Sequence, residues 1–246
     1  MAKHDFRTRR LYVTADLEEG AELVLDRARS NYLLNVLRLE PGAGVLVFNG
    51  REGEWRARLE PAARRQARLV LEARARPQSV ARDLAYAFAP LKHARLDYMV
   101  QKAVEMGASR LSPVLTRHTQ VARVNLDRVR ANAIEAAEQC GILSLPVVEE
   151  PVAFSRWLAL LTPDRVVVFC DEEAGTEDPL AALARAPAGP LTVLIGPEGG
   201  FGQDERRALL ARGRTVRLSL GPRILRADTA AVAALALVQA ARGDWR

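Results

Sequence analysis

The chain has 246 residues, of which 49% are hydrophobic and 27% are charged. These proportions are those of a folded globular protein and exclude wholesale disorder. The longest apolar run, within residues 230–241, is shorter than the roughly 20 residues that cross a bilayer. The basic N-terminus is not followed by the apolar segment of a secretory signal, and two cysteines exclude a disulfide framework. We therefore expect a cytoplasmic protein that binds neither a membrane nor a metal.

Arginine dominates the positive charge. The net charge is +6, and the chain holds 33 arginines but three lysines. Arginine offers a planar fork that binds phosphate and also stacks on bases, so the excess favours a polyanionic partner such as RNA. Genome composition or adaptation to heat produces the same excess, and composition alone does not separate these explanations.

Residues 1–76 have the pattern of a small β-rich domain. One helix interrupts the strands, with Ser30 or Asn31 as its predicted cap and residues 33–37 as its apolar stripe. Several short strands with one helix favour a small barrel. The predicted strands, rich in Val, Leu, Tyr or Trp, are residues 11–14, 22–25, 45–49, 54–59 and 67–73.

Arginines are concentrated at the end of this domain. Eight arginines and four glutamates lie between Arg51 and Arg76, a local net charge of +4. Alternate arginines on a strand share one face, where they can meet an RNA backbone. An ordinary solvated face explains the same pattern, and both interpretations stay open.

A second architecture begins after a short linker at residues 77–79. Apolar runs now alternate with helical periods such as residues 95–106. Continuous apolar runs are typical of strands buried on both faces of a parallel sheet, which predicts an α/β domain. Its predicted strands are residues 84–89, 111–116, 146–148, Val166–Cys170, Leu191–Ile195 and Thr215–Leu218. The predicted domains are a β-barrel over residues 1–76 and an α/β domain over residues 77–246.

The strand at Leu191–Ile195 runs into a turn, residues 196–202, that contains four glycines. Ligands of parallel sheets bind beyond the carboxyl ends of the strands, and glycines let them approach the main chain closely. Glu198 lies inside the turn and would repel phosphate, and no dinucleotide or triphosphate motif occurs. A neutral or cationic ligand fits this turn better, and a plain structural turn is the alternative.

A second turn follows the strand at Thr215–Leu218. Residues 221–222 begin it, and Asp228 or Thr229 is predicted to cap the helix that follows. Arg226 precedes that cap. An arginine there is either a structural clamp on main-chain carbonyls or a cation that acts on a ligand.

Three acidic residues, 171–173, follow the strand at Val166–Cys170. Without histidines nearby they are a poor metal site, so solvated acids or a contact to a ligand hydroxyl are expected. No G-x-S-x-G motif or other nucleophile arrangement stands out, which argues against an α/β hydrolase. Cys140 ends an apolar helical stripe and is expected to be buried rather than reactive.

Together these segments resemble the bacterial 16S rRNA uridine-N3 methyltransferases of the SPOUT superfamily. The match lies in residues 194–201 with Glu205 and in residues 218–230, and residues 32–42 resemble the family's PUA-like RNA-binding domain. The resemblance covers almost the whole chain. It implies a trefoil-knotted parallel-sheet domain, S-adenosylmethionine as cofactor, a homodimer, and the 16S rRNA of the small ribosomal subunit as partner.

The resemblance also implies the residues that contact the cofactor. We further hypothesise that Arg226 is catalytic, because a fixed cation at this loop can stabilise the negative charge that spreads onto the uracil oxygens as N3 loses its proton. Cys170 and Asp171 would lie near the adenosine. Carried over by motif, the cofactor-binding residues are Cys170, Asp171, Gly196, Pro197, Glu198, Gly199, Leu218, Leu220, Gly221, Ile224, Leu225 and Arg226.

The chain departs from the family pattern at three places. Arg117 and His118 stand where the family commonly has an acid and an arginine, and Ile142 stands where it tends to have arginine. Asp228 replaces a glutamate and keeps the charge. Two alternatives to the uridine-N3 reaction remain: a ribose 2′-O-methyltransferase of the same superfamily, and a non-catalytic RNA-binding assembly factor.

Overall fold

A computed structural model describes residues 5, 7–62, 66–121, 123–175 and 178–245. The chain divides into two compact units: a first unit of Met1–Val80 with Ala137–Leu145, and a second unit of Ala81–Ala136 with Pro146–Arg246. The domain boundary predicted after residue 76 stays a prediction. Arg64 and Arg65, two of the eight clustered arginines, lie outside the described residues.

The first unit contains a five-stranded sheet in the order β1-β3-β4-β5-β2. Strands β1 and β3 pair in parallel, and the other described pairings are antiparallel. An aliphatic core that includes Leu33, Val47, Leu59 and Leu69 packs within this unit. The predicted β-rich domain is confirmed. Its strands are β1 (Arg10–Tyr12), β2 (Glu22–Val24), β3 (Gly44–Phe48), β4 (Glu54–Pro61) and β5 (Ala67–Arg76).

The helix of the first unit begins earlier than predicted. Helix α1 (Arg27–Asn31) is capped by Asp26, whose carboxylate accepts the main-chain N–H of Arg29 at 2.8 Å, and a π-helical turn (Tyr32–Val36) continues it. The predicted caps Ser30 and Asn31 are therefore wrong. A carboxylate stabilises a helix N-terminus through both the hydrogen bond and the helix dipole.

The second unit is built on a seven-stranded sheet in the order β12-β10-β11-β6-β7-β8, with β9 also paired to β7. Every described pairing is parallel, which confirms the predicted α/β fold. The trefoil knot stays a prediction. The strands are β6 (Leu84–Phe88), β7 (Arg110–Leu115), β8 (Val147–Val148), β9 (Val152–Ala153), β10 (Val166–Cys170), β11 (Leu191–Ile195) and β12 (Thr215–Leu218).

The remaining helices are α2 (His93–Glu105), α3 (Leu126–Cys140), α4 (Phe154–Leu160), α5 (Pro179–Ala184), α6 (Gln203–Ala211) and α7 (Ala227–Arg242). Helix α7 follows Arg226, which occupies the N-cap position without a side-chain bond, so the predicted caps Asp228 and Thr229 are wrong. Cys140 is also wrong as a buried residue: it is exposed, beyond the buried stripe that ends at Ala137. No helix of the described ranges combines the length and the apolar character that a bilayer span requires.

One face of the parallel sheet carries an apolar cluster near the carboxyl ends of the strands. Leu194 on β11 and Phe169 on β10 are paired in register, so their side chains point to the same side of the sheet. Phe154 and Trp157 of α4 cover them. Phe201, in the turn after β11, packs against this cluster.

Candidate functional site

A cavity of about 400 Å³ lies at the carboxyl ends of β10, β11 and β12. Three loops enclose it: the acidic loop (residues 171–175) after β10, the glycine turn (residues 196–202) after β11, and the arginine turn (residues 219–226) after β12. Because the three strands are parallel neighbours, their loops meet at one edge of the sheet. This is the position where ligands of open α/β sheets bind.

The glycine turn is anchored to the apolar cluster by Phe201. The Phe201 ring meets Phe169 edge to face at 5.1 Å and Phe154 at 6.1 Å. Gly196 lies against the same ring, and a Cβ at that position would be 2.5 Å from it. The turn therefore needs glycine at residue 196 to fold back on the core while its main chain borders the cavity.

Two carboxylates anchor the glycine turn, one near its middle and one at its end. Glu198 forms an ion pair with Arg95 of α2, and both side chains are partly exposed. Glu205 accepts the main-chain N–H of Gly202 at 2.8 Å and so begins α6. The structure thus gives Glu205, part of the resemblance motif, a capping position.

Asp171 is the one strongly buried acid of the acidic loop within the described residues, at 5% exposure. Its carboxylate accepts hydrogen bonds from Arg206 at 3.0 Å and from Arg217 at 2.7 Å. Burial raises the pKa of this carboxyl, but the two guanidinium groups more than offset that effect and hold the pKa below its usual value. Asp171 is therefore ionised and paired, and the expectation of a solvated acid is wrong for it, whereas Glu172 and Glu173 are exposed as expected.

The arginine turn projects side chains outward. Ile224 is 95% exposed, Arg223 and Arg226 are exposed, and Leu218 at the end of β12 is buried. The Arg226 guanidinium has no hydrogen-bond or ion-pair partner within the described residues. The clamp interpretation of Arg226 is therefore wrong for the described part of the chain, and its charge is available to a ligand.

Cys170 borders the cavity but is not a nucleophile. Desolvation raises the pKa of its thiol to about 12, so the thiol stays protonated near neutral pH. The reactive form of cysteine is the thiolate. The site thus offers charge and shape rather than covalent chemistry.

The cavity brings together almost all of the predicted cofactor residues. Gly199 is the exception: it lies between the lining residues Glu198 and Gly200, and its carbonyl faces His118. Cofactor contact by any of them stays a prediction. The predicted residues that line the cavity are Cys170, Asp171, Gly196, Pro197, Glu198, Leu218, Leu220, Gly221, Ile224, Leu225 and Arg226.

Other residues that line this cavity were not predicted from the sequence, among them Phe201, Arg206 and Arg223. Arg206 lies in the first turn of α6, directly after the glycine turn, and Arg223 lies within the arginine turn. The sequence places both arginines in or directly after loops at the carboxyl ends of the strands, and this position could have predicted that they line the cavity. Phe201 carried no signal, because an aromatic residue after a glycine run does not reveal where its ring packs.

A second cavity, of about 520 Å³, lies near the amino ends of β6, β7 and β11. Arg110 and Ser112 at its wall both bond Glu149, at 2.6 and 2.5 Å. Parallel sheets do not usually bind ligands at this end, so the first cavity is the candidate site. In the ranges that the structure describes, no group of three metal-ligating side chains occurs.

Comparisons with known proteins find two family models that match separate parts of the chain. A family model described as an RNA methyltransferase domain matches residues 78–239, and one described as an RNA methyltransferase PUA domain matches residues 25–72. The ribosomal RNA small subunit methyltransferase E of a Synechocystis species is 32% identical, over 94% of this chain and 77% of the relative. The protein of the same name from Rickettsia conorii is 29% identical over 94% of both chains.

Solved structures show the same architecture. A ribosomal RNA small subunit methyltransferase E from Neisseria gonorrhoeae, bound to S-adenosyl methionine, superposes with a TM-score of 0.86 at 26% identity, over 98% of this chain and 100% of that one. A Legionella pneumophila protein described as a putative methyltransferase, with the same cofactor bound, gives 0.82 at 28% identity over 96% and 98%. The chain therefore belongs to the RNA methyltransferase family that the small subunit methyltransferases E represent, with a PUA-type domain in its first part.

Proposed function

We propose that this protein is an S-adenosylmethionine-dependent methyltransferase that methylates N3 of one uridine in the 16S rRNA of the small ribosomal subunit. The observation that carries the proposal is the cavity enclosed by the acidic loop, the glycine turn and the arginine turn. The names of the relatives support rRNA as substrate, and the cofactor bound to the Neisseria protein supports the choice of donor.

The residues present fit a cationic donor of this size. A volume of about 400 Å³ lies within the range of small-molecule sites, about 300–1,000 Å³. Glu172, Glu173 and Glu198 border the cavity and would attract a sulfonium cation, whereas they would repel a phosphate. Ile195 and Leu218 supply apolar wall for an adenine ring. When bound, the donor supplies an electrophilic methyl group.

Methyl transfer needs positioning and charge stabilisation more than covalent help from the protein. The N3 of uracil is nucleophilic only as its proton leaves and charge spreads onto the ring oxygens. Arg226 stands at the cavity mouth with an exposed guanidinium, so it is the residue that stabilises this charge. The uridine must be unpaired or flipped out of its helix, because N3 is otherwise engaged in base pairing.

The first unit supplies affinity for the RNA backbone through a small set of free arginines. Arg51, Arg58, Arg68 and Arg76 are already engaged with carboxylates. Arg56 and Arg74, in contrast, are exposed and have no ion-pair partner in the described ranges. Unpaired guanidinium groups bind phosphate without first breaking an internal bond. The resemblance supports a cytoplasmic homodimer as the working form.

The test uses the purified protein, radiolabelled S-adenosylmethionine and small ribosomal subunits from a strain that lacks the enzyme. Nuclease digestion and mass spectrometry of the product nucleosides should find N3-methyluridine. A 2′-O-methyl nucleoside would replace the proposal with the ribose reaction, and no incorporation at all would favour a non-catalytic assembly factor.

The role of Arg226 is tested with a matched neighbour. Removing a residue that stabilises transition-state charge typically costs about 100- to 1,000-fold in rate, and we expect a loss of this size from Arg226→Ala at saturating donor. Arg223→Ala removes an equally exposed arginine three residues away in the same turn and should cost much less. Equal rates for the two variants would remove Arg226 from the mechanism.

A further inference from the structure

His118 is the residue that contacts the main chain of the glycine turn from outside the cavity. It follows β7 at the carboxyl end of the sheet, and its Nδ1 lies 3.0 Å from the carbonyl oxygen of Gly199 and 3.2 Å from that of Gly200. Both partners are acceptors, so Nδ1 must carry the hydrogen and donate it. In the neutral ring, Nε2 is then unprotonated.

The contact between His118 and the glycine turn is close as well as polar. A Cβ at Gly199 would lie 3.2 Å from the Cβ of His118, so a larger residue at this position would have to displace His118 by a few tenths of an ångström. The neighbouring Arg117 donates its main-chain N–H to Glu205 at 2.9 Å, and the same carboxylate holds Gly202. The segment 117–118 is thus joined to both the middle and the end of the turn.

The turn needs such a support for an entropic reason. Four of its seven residues are glycine, and glycine loses more conformational freedom on ordering than any other residue. When a ligand binds only one conformation of a loop, its apparent affinity falls in proportion to the fraction of molecules that hold that conformation. Any bond that holds the turn in its cavity-forming conformation therefore raises the affinity for the ligand.

We infer that His118 is a positioning residue: its Nδ1–H holds the glycine turn in the conformation that forms the wall of the donor cavity. The inference rests on the proposed function, since it takes S-adenosylmethionine as the donor. It also gives a role to a position where this chain departs from the family pattern. His118 acts through the carbonyls of Gly199 and Gly200 and not by contact with the donor.

Three substitutions separate the hydrogen bond from the bulk of the ring. In His118→Asn the side-chain amide can donate from the place of Nδ1, in His118→Gln it is shifted to the place of Nε2, and His118→Ala removes it. Calorimetry should show that Ala and Gln weaken S-adenosylmethionine binding about 3- to 10-fold, the size typical of one lost hydrogen bond, while Asn stays within about twofold. The rate at saturating donor should change little, because the loss is one of binding. Arg117→Ala is the control for packing alone: it keeps the main-chain bond to Glu205 but removes the side chain that lies beside Gly202, and it should weaken donor binding less than His118→Ala does.

Two further readouts need no donor and so test His118 even if the protein does not bind S-adenosylmethionine. The ¹⁵N spectrum of the neutral ring should show hydrogen on Nδ1, and amide exchange at Gly200 and Gly202 should be faster in His118→Ala than in His118→Asn. A wild-type protein that fails to bind the donor would contradict the proposed function and leave these two measurements to decide the inference. An Nε2–H tautomer, or donor binding and amide exchange in His118→Ala equal to the wild type, would overturn the inference.

Discussion

Each unit of the molecule contains a buried carboxylate that receives two arginines. In the first unit, Glu54 accepts from Arg10 at 2.8 Å and, with two bonds, from Arg76 at 2.7 and 2.8 Å. In the second unit, Asp171 accepts from Arg206 and Arg217. The two carboxylate side chains are equally buried, at 2% exposure. The chemistry of the two clusters is the same, and their surroundings are not.

The difference lies in the arginines. Arg10 is 3% exposed and Arg76 is 18% exposed, and Arg76 also bonds the carbonyl of Gly141 at 3.0 Å, so the Glu54 cluster joins two segments of the first unit. Arg206 is 18% exposed, as Arg76 is, but it lines the cavity of about 400 Å³, and Arg217 is 39% exposed. A buried carboxylate whose arginine partners are also buried stabilises the fold by joining segments of the chain. A buried carboxylate with one partner at a cavity wall and another that reaches solvent can also shape a site.

The largest effect should follow from removal of Glu54. Glu54→Ala leaves two guanidinium groups in a buried place without their counter-charge, and breaking such a pair costs about 3–5 kcal/mol of the free energy of unfolding. Urea unfolding measures this loss. Glu72→Ala, which removes a half-exposed partner of Arg58, is the control and should show the small change that is typical of exposed ion pairs. Equal losses in the two variants would contradict the structural role of Glu54.

Removal of Asp171 should cost less stability and more function. In Asp171→Ala, Arg217 can turn to solvent and Arg206 keeps its ion pair with Glu173, so we expect a loss of about 1.5–3 kcal/mol, the range for hydrogen bonds to charged groups. Because Asp171 and Arg206 border the cavity, affinity for S-adenosylmethionine should fall about tenfold, as one such interaction is lost. Calorimetry measures the affinity of both variants for S-adenosylmethionine at a temperature where both are folded. Glu54→Ala is the control and should bind S-adenosylmethionine as the wild type does. If the two variants lose donor affinity alike, the distinction between the clusters fails.

Acid should unfold the protein in part through these carboxyls. Burial raises the pKa of Glu54, but hydrogen bonds from Arg76 and Arg10 outweigh burial, so its folded pKa lies below the ordinary value, as it does for Asp171. A lowered folded pKa contributes stability that is complete above the ordinary carboxyl pKa of about 4 and is lost as the pH falls through the folded value. Between pH 7 and pH 3, the free energy of unfolding should therefore fall less in Glu54→Gln than in the wild type. Parallel curves for the two proteins would show that Glu54 does not titrate on unfolding.

The sequence predicted the sheet edge of the second unit well. Strands β10, β11 and β12 have the predicted bounds. For β10 and β11 the reason is that a strand buried on both faces is a continuous apolar run that ends where the chain reaches solvent. The glycine turn was found for a similar reason, since a local run of glycine is visible without its partners. The candidate site was therefore predicted where its signal is local.

The sequence did not predict which charges meet. Arg206 and Arg217 are 35 and 46 residues from Asp171, and only the packing of α6 and β12 beside β10 brings them to it. The helix start at Asp26 was missed on a smaller scale, because Asp26, Ser30 and Asn31 are all good caps and the packing of the helix decides among them. The prediction that Cys140 is buried was wrong for a similar reason, because an apolar helical stripe does not show where the residues that pack against the helix end.

The smallest predicted change in the free energy of unfolding comes from buried hydroxyl groups that have no hydrogen-bond partner, in contrast to the carboxylates of Glu54 and Asp171. Tyr86 is fully buried and stacks on Phe88 at 5.0 Å, but its hydroxyl has no hydrogen-bond partner among the described residues. Burial, with smaller effects from Cys170 and Asp228, raises its pKa well above the usual value, so the hydroxyl stays neutral. A buried polar group without a partner costs stability, so Tyr86→Phe should leave the free energy of unfolding unchanged or raise it by up to about 1 kcal/mol.

Thr192 provides a second case and Ser112 the matched contrast. The Thr192 hydroxyl is also buried without a partner in the described ranges, so Thr192→Val should likewise be neutral or stabilising, whereas Ser112→Ala removes a bond to Glu149 and should destabilise. Thermal melting of the three variants checks the sign of each change. If Tyr86→Phe and Thr192→Val both destabilise as Ser112→Ala does, their hydroxyls are bonded to buried water. All three hydroxyls would then have a partner, and the distinction drawn between Ser112 on one side and Tyr86 and Thr192 on the other would be wrong.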